Sequence, residues 1–128
     1  MLKNITVLLG VVFIAAGILG FIPNPIVGSR GIFETDLGHN LVHLAAGAIL
    51  LLAGFQGEQM ARLALQVFGA VYLAVGLLGF AIVDGATGQG SLLGLVHLNS
   101  ADNWLHIVLG VVLLGIGYAL KPQMMRAS

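Results

Sequence analysis

Ten charged side chains divide this sequence into four long uncharged stretches, and that division constrains the fold more than any other feature. The charges are Lys3, Arg30, Glu34, Asp36, Glu58, Arg62, Asp84, Asp102, Lys121 and Arg126. Between them run residues 5–22, 40–55, 63–83 and 103–120, all mostly apolar. A helix that crosses about 30 Å of hydrocarbon needs about 20 residues. The second stretch reaches that length when its entry turn from Leu37 is included. A charge at mid-bilayer costs about 2.5–3.5 kcal/mol or more, and none of the four stretches contains one.

Composition excludes the alternatives. Charged residues make up 8% of the chain and apolar residues 59%, with a mean hydropathy of +1.05. A water-soluble domain carries about 25% charged residues, and a disordered chain is polar and charge-rich. Without cysteine the chain has no disulfide scaffold, thiolate metal site or iron–sulfur centre. The formal net charge is zero and the pI near 6.9, so nucleic acid is not an expected partner. The expectation is an all-α, polytopic membrane protein in a lipid bilayer, a four-transmembrane-helix bundle forming one domain over residues 1–128.

Orientation follows from the basic residues. Lys3, Arg62, Lys121 and Arg126 fall on the side of the termini and of a short turn at 56–62, whereas Arg30 alone faces the other side among Glu34, Asp36, Asp84 and Asp102. The positive-inside tendency places both termini in the cytoplasm. The longer loops, 23–39 and 84–102, then face outward, and Pro23 and Pro25 end the first helix.

The halves repeat. Residues 10–21 match 69–80 at an offset of 59, and residues 31–54 match 94–117 at an offset of 63, the difference falling in the Gly-rich loop at 84–90. The bundle therefore reads as two tandem helical hairpins, a parallel internal repeat of about 5–55 and 63–120. A cleaved signal sequence has no reason to copy a later span, so the first helix is expected in the mature protein. Glycines seven apart recur in every span, at Gly10/Gly17, Gly47/Gly54, Gly69/Gly76 and Gly110/Gly117. Small residues let helix backbones approach in lipid, where hydrophobic drive between helices is weak.

The halves also share polar residues at the outer end. Asp36 and Asn99 are good N-caps for helices two and four. Behind them come His39/Asp102, Asn40/Asn103 and His43/His106. Asn40, His43, Gly47, Leu50 and Gly54 form a 3-4-3-4 seam repeated by Asn103, His106, Gly110, Leu113 and Gly117. His97 occupies the position equivalent to Glu34.

Residues 40–47 and 99–110 carry the pattern Asn-Leu-Val-His-Leu-Ala-Ala-Gly and Asn-Ser-Ala-Asp-Asn-Trp-Leu-His-Ile-Val-Leu-Gly. With the Gly-Phe-Ile-Pro end of the first span and Leu92-Leu-Gly-Leu95, this pattern resembles the domain-of-unknown-function 4383 family. The resemblance covers almost the whole chain and implies a small bacterial four-helix membrane protein, in the cytoplasmic (inner) or thylakoid membrane. It implies no activity. His39 departs from the shared pattern.

Three readings of the polar residues compete. In the first, Asn40, His43, Asp102, Asn103 and His106 form a structural clamp, hydrogen-bonding between helices at about 0.6–2 kcal/mol each. In the second, His39, His43, Asp102 and His106 hold a divalent transition metal, since residues at i and i+4 share a helix face, or His43 and His106 ligate a haem. The third, a proton or ion path, requires ionisable groups through the bilayer, and the cytoplasmic half offers only Gln66. No nucleophile–base pair or phosphate loop is recognisable, so no enzyme is expected. Residues 28–37 and 91–98 read as interfacial segments that cover the polar helix ends, or as a docking surface. The reading adopted is a non-enzymatic structural or accessory module without a cofactor. Beyond the lipid bilayer, the partner expected is a second copy of the chain or a larger membrane complex.

Overall fold

In a computed structural model, which describes residues 1–122, four long helices account for most of the chain. They are α1 (Leu2–Leu19), α2 (Leu37–Gln56), α3 (Glu58–Ile82) and α4 (Ser100–Ala119). All four are long and apolar enough to cross a membrane. Four short strands lie in the two outer loops: β1 (Val27–Gly28), β2 (Phe33–Glu34), β3 (Gln89–Leu92) and β4 (Val96–Asn99). β1 pairs parallel to β2, and β3 pairs antiparallel to β4 in the register Gln89↔Asn99. The all-α expectation is corrected to this extent. Loop backbone above a bundle must bond to something, and these segments bond to themselves.

Helix boundaries shift for local reasons. The first span, expected over 5–22, ends at Leu19. Asn24 closes it: its Nδ2 donates to the Leu19 carbonyl at 2.8 Å and its Oδ1 accepts from the Val27 N–H at 2.9 Å. The turn expected at 56–62 shrinks to one residue, Gly57, with φ +126° and ψ 179°. Glu58 to Arg62 are already helical. The loop expected at 84–90 is partly a strand, since Gln89 and Gly90 pair with Asn99 and Leu98. Arg126, used to orient the chain, lies outside the described residues.

The principal helix pairs are α1 with α2 and α3 with α4. Glycines set both interfaces. A Cβ on Gly10 would stand 2.9 Å from the Gly47 carbonyl oxygen, and one on Gly47 would stand 2.8 Å from the Gly10 carbonyl oxygen. In the other pair a Cβ on Gly69 would lie 3.1 Å from the Gly110 carbonyl oxygen, and one on Gly76 would lie 3.0 Å from that of Asn103. α3 also touches α2 and α1, bringing the two pairs together around Phe13, Leu50, Leu65, Tyr72 and Leu113.

Large apolar side chains lie outside the bundle as well as in its core, and several polar ones lie inside. Leu8, Val11, Ile49, Leu52, Val67, Leu77 and Val108 are exposed, whereas Asn40, His43, Asp102, Asn103 and His106 are buried. A bilayer would accept the former, and burial inside the bundle would keep the latter away from hydrocarbon.

Candidate polar and metal site

The helix entries position the site. Asp36 caps α2, its Oδ1 accepting the His39 N–H at 2.9 Å. α4 begins with a reciprocal capping box: Asn99 Oδ1 accepts from Asp102 N, and Asp102 Oδ2 accepts from Asn99 N, both at 2.9 Å. Burial acts to raise the Asp36 carboxyl, but the backbone N–H groups of His39 and His97 outweigh it and hold it below its ordinary value.

One turn inside these caps, the side chains converge. His39 stacks on His43 with ring centroids 4.8 Å apart, and His39 lies 5.7 Å from His106. One ring nitrogen from each of the three lies within 4.8 Å of the others, and all three residues are buried. Below them Phe13 lies 5.7 Å from His43 and Tyr72 lies 5.4 Å from His106, while Phe13 and Tyr72 are 5.4 Å apart. Two aromatic rings thus form a floor under three imidazoles.

The hydrogen bonds around the cluster are unevenly distributed. His39 Nδ1 lies 2.7 Å from the His97 carbonyl oxygen. A carbonyl only accepts, so Nδ1 carries the proton and a neutral ring keeps its lone pair on Nε2. Among the described residues, His43 Nδ1 and His106 Nδ1 are buried with no hydrogen-bond partner. Asn40 Oδ1 and Asn103 Oδ1 likewise find no partner among the described residues. They face glycines instead: a Cβ on Gly20 would run into the Asn40 carboxamide, and one on Gly79 into that of Asn103. The amide–imidazole clamp expected from sequence lacks bonds at these four atoms.

Asp102 does not join the histidines, because its carboxylate is engaged in the capping box. His97, noted in sequence only for its register, proves central. Its Nε2 lies 3.1 Å from Glu34 Oε2, and its carbonyl orients His39. Asn99 Nδ2 also donates to the Ile32 carbonyl at 2.9 Å. Phe13 and Tyr72 were missed in sequence. The signal was present, since they are equivalent at the offset of 59, but aromatic residues inside an apolar run look like ordinary core.

A cavity of about 260 Å³ opens beside the cluster between α2 and α3, lined by His39, His43, His106, Phe68 and Tyr72 and roofed by Leu92 and Leu98. Pockets for drug-sized ligands are roughly 300–1,000 Å³, so this space is smaller than a drug-sized ligand or a macrocycle would fill.

A family profile described as Domain of unknown function (DUF4383) matches residues 3–119. No curated protein and no solved structure matches the chain.

Proposed function

The chain belongs to the family described as Domain of unknown function (DUF4383), and from that premise we propose that it is a non-enzymatic multi-pass membrane module. Two tandem hairpins are joined at their outer end by a partly buried polar layer. One observation carries this reading: three side-chain contacts at that end cross from one half to the other. They are His97 to Glu34, His39 to the His97 carbonyl and Asn99 to the Ile32 carbonyl.

Both termini lie on the cytoplasmic face of a bacterial inner or thylakoid membrane. In support, the Met1 amino group pairs with Glu58 at 2.8 Å, which puts the start of α1 beside the α2–α3 joint. Arg62 Nε donates to the Gly117 carbonyl at 2.8 Å, bringing the end of α4 to the same side. Lys3, Arg62 and Lys121 therefore share one end, as the positive-inside tendency requires. The module acts as an accessory or structural component, alone, self-associated or within a larger membrane assembly.

Asn99→Ala tests the polar layer. It removes the α4 cap, worth about 0.5–2 kcal/mol, and one bond between halves, worth about 0.6–1.7 kcal/mol. The expected result is a clear loss of stability in detergent unfolding, with native helicity at low denaturant. Unchanged stability would contradict the proposed joint.

A further inference from the structure

The three histidines do more than join the halves. We propose that His39, His43 and His106 form a binding site for a divalent first-row transition ion, with an open coordination position facing the apolar cavity. The inference rests on the proposed reading only in placing the site at the outer end of the bundle. Its chemistry stands on the site geometry.

Donor type comes first. Three imidazoles, with no thiolate anywhere in the chain, suit Zn²⁺, Cu²⁺, Ni²⁺ or Fe²⁺ over softer or harder ions. Spacing comes next. Metal–nitrogen bonds of about 2.0–2.1 Å in a tetrahedral site place ligand nitrogens about 3.3 Å apart. The three ring nitrogens lie within 4.8 Å of one another. Each therefore needs to move inward by less than about 1 Å, within reach of side-chain torsions.

Orientation is the third argument. Metal-bound histidines characteristically donate their other ring N–H to a carbonyl or carboxylate, which fixes the ring. His39 already does so through Nδ1 to the His97 carbonyl, leaving Nε2 for an ion. The fourth argument concerns what is left over. A buried nitrogen without a partner is costly, and among the described residues His43 and His106 each leave Nδ1 without one, on rings that lie in one cluster with His39. An ion bound through Nδ1 of His43 and of His106 would give those two nitrogens the partner they lack among the described residues.

The fourth coordination position is set by the surroundings. Asp102 is engaged in its capping box and does not reach the group. Phe13 and Tyr72 close the floor. The remaining direction is the cavity between α2 and α3, whose lining residues Val42 and Val71 are 48% and 50% exposed on the face that lipid covers. Three protein nitrogens with one open position are the arrangement of sites that bind water or a small exogenous ligand. A lipid-facing apolar approach favours a small uncharged one.

The experiment uses full-length protein, purified in detergent without a histidine tag and loaded with Zn²⁺ or Co²⁺ before extensive dialysis. The expected result is one ion per chain, a rise in thermal midpoint, and nitrogen-ligated Co²⁺ d–d bands that change when azide or imidazole is added. His43→Ala and His106→Ala should each lose stoichiometric binding, while Asp102→Asn should retain it. Should an alanine variant fail to fold, Cu²⁺-loaded wild type is examined by electron paramagnetic resonance, where nitrogen superhyperfine lines from three imidazoles are expected. Folded wild type that retains no ion, or binding that survives His106→Ala, overturns the site. Helicity measured in the same samples separates that outcome from collapse of the bundle, because a metal-free protein with native helicity leaves the structural module intact.

Discussion

Asn40 and Asn103 are held by what the preceding helix lacks. Each carboxamide fills the space a side chain on Gly20 or Gly79 would occupy. Gly79→Ala should therefore destabilise the protein by about 1–3 kcal/mol through overpacking. Gly79→Ala with Asn103→Ala should recover part of that loss, and a double-mutant cycle in detergent unfolding measures the coupling. Additive effects would show that glycine and amide do not meet. Asp36 gives a residue-scale pH effect. Burial would raise its carboxyl, but backbone N–H groups keep it below the ordinary value. Its contribution is accordingly present above the unfolded value and lost as pH falls below about 4 through the folded one. Asp36→Asn still caps α2 and should flatten that acid limb in stability measured against pH. At this scale the sequence was partly legible. Repetition singled out Asn40, His43, Asn103 and His106, and i,i+4 spacing added His39 to His43. The fate of Asp102 was hidden, because one carboxylate type serves equally as cap or ligand and only geometry decides. The contacts of His97 were hidden too, since they depend on how one loop folds over the other helix pair.

At the scale of elements, Gly57 is a one-residue joint between two long helices. Its φ of +126° is a conformation that L side chains rarely adopt, and a Cβ there would meet nothing within 4 Å. Gly115, inside α4, also has open space around its missing Cβ. The two glycines should respond to alanine with opposite signs. Gly57→Ala should destabilise by about 1 kcal/mol or more from backbone strain. Gly115→Ala should stabilise by about 0.5–1 kcal/mol from helix propensity. Parallel unfolding curves of the two variants check this, and a Gly57→Ala variant as stable as the parent or more so would mean that the joint is not strained. The helices themselves were legible because charge-free runs of spanning length are rare in any other setting. Their ends were less so. A glycine in a run of polar residues reads as the middle of a turn, and here it is the whole turn. Strands of two to four residues, such as β1 and β3, leave no periodicity to detect. They form because loop backbone above the bundle must satisfy its own hydrogen bonds.

The whole molecule places opposite chemistry at its two ends, and that asymmetry makes its orientation testable. One end gathers Lys3, Arg62 and Lys121 around the Met1–Glu58 pair and the Arg62 bond to Gly117. The other carries both strand pairs, the Glu34–His97 contact and the helix caps. The proposed orientation takes the basic end as cytoplasmic, which would put the imidazole cluster and its cavity toward the outer face. The chain has no cysteine, which allows single cysteines to be introduced without background. Ser91→Cys in β3 and Gln59→Cys in the first turn of α3 are both at exposed positions. In intact cells a membrane-impermeant maleimide should label Ser91→Cys and spare Gln59→Cys until the membrane is opened. The reverse pattern would invert the topology and turn the histidine site toward the cytoplasm. An ion would then have to reach that site from the cytosolic pool rather than from outside. Labelling of both in intact cells would show that the chain does not hold one orientation, and no argument from sidedness would then apply to the cluster.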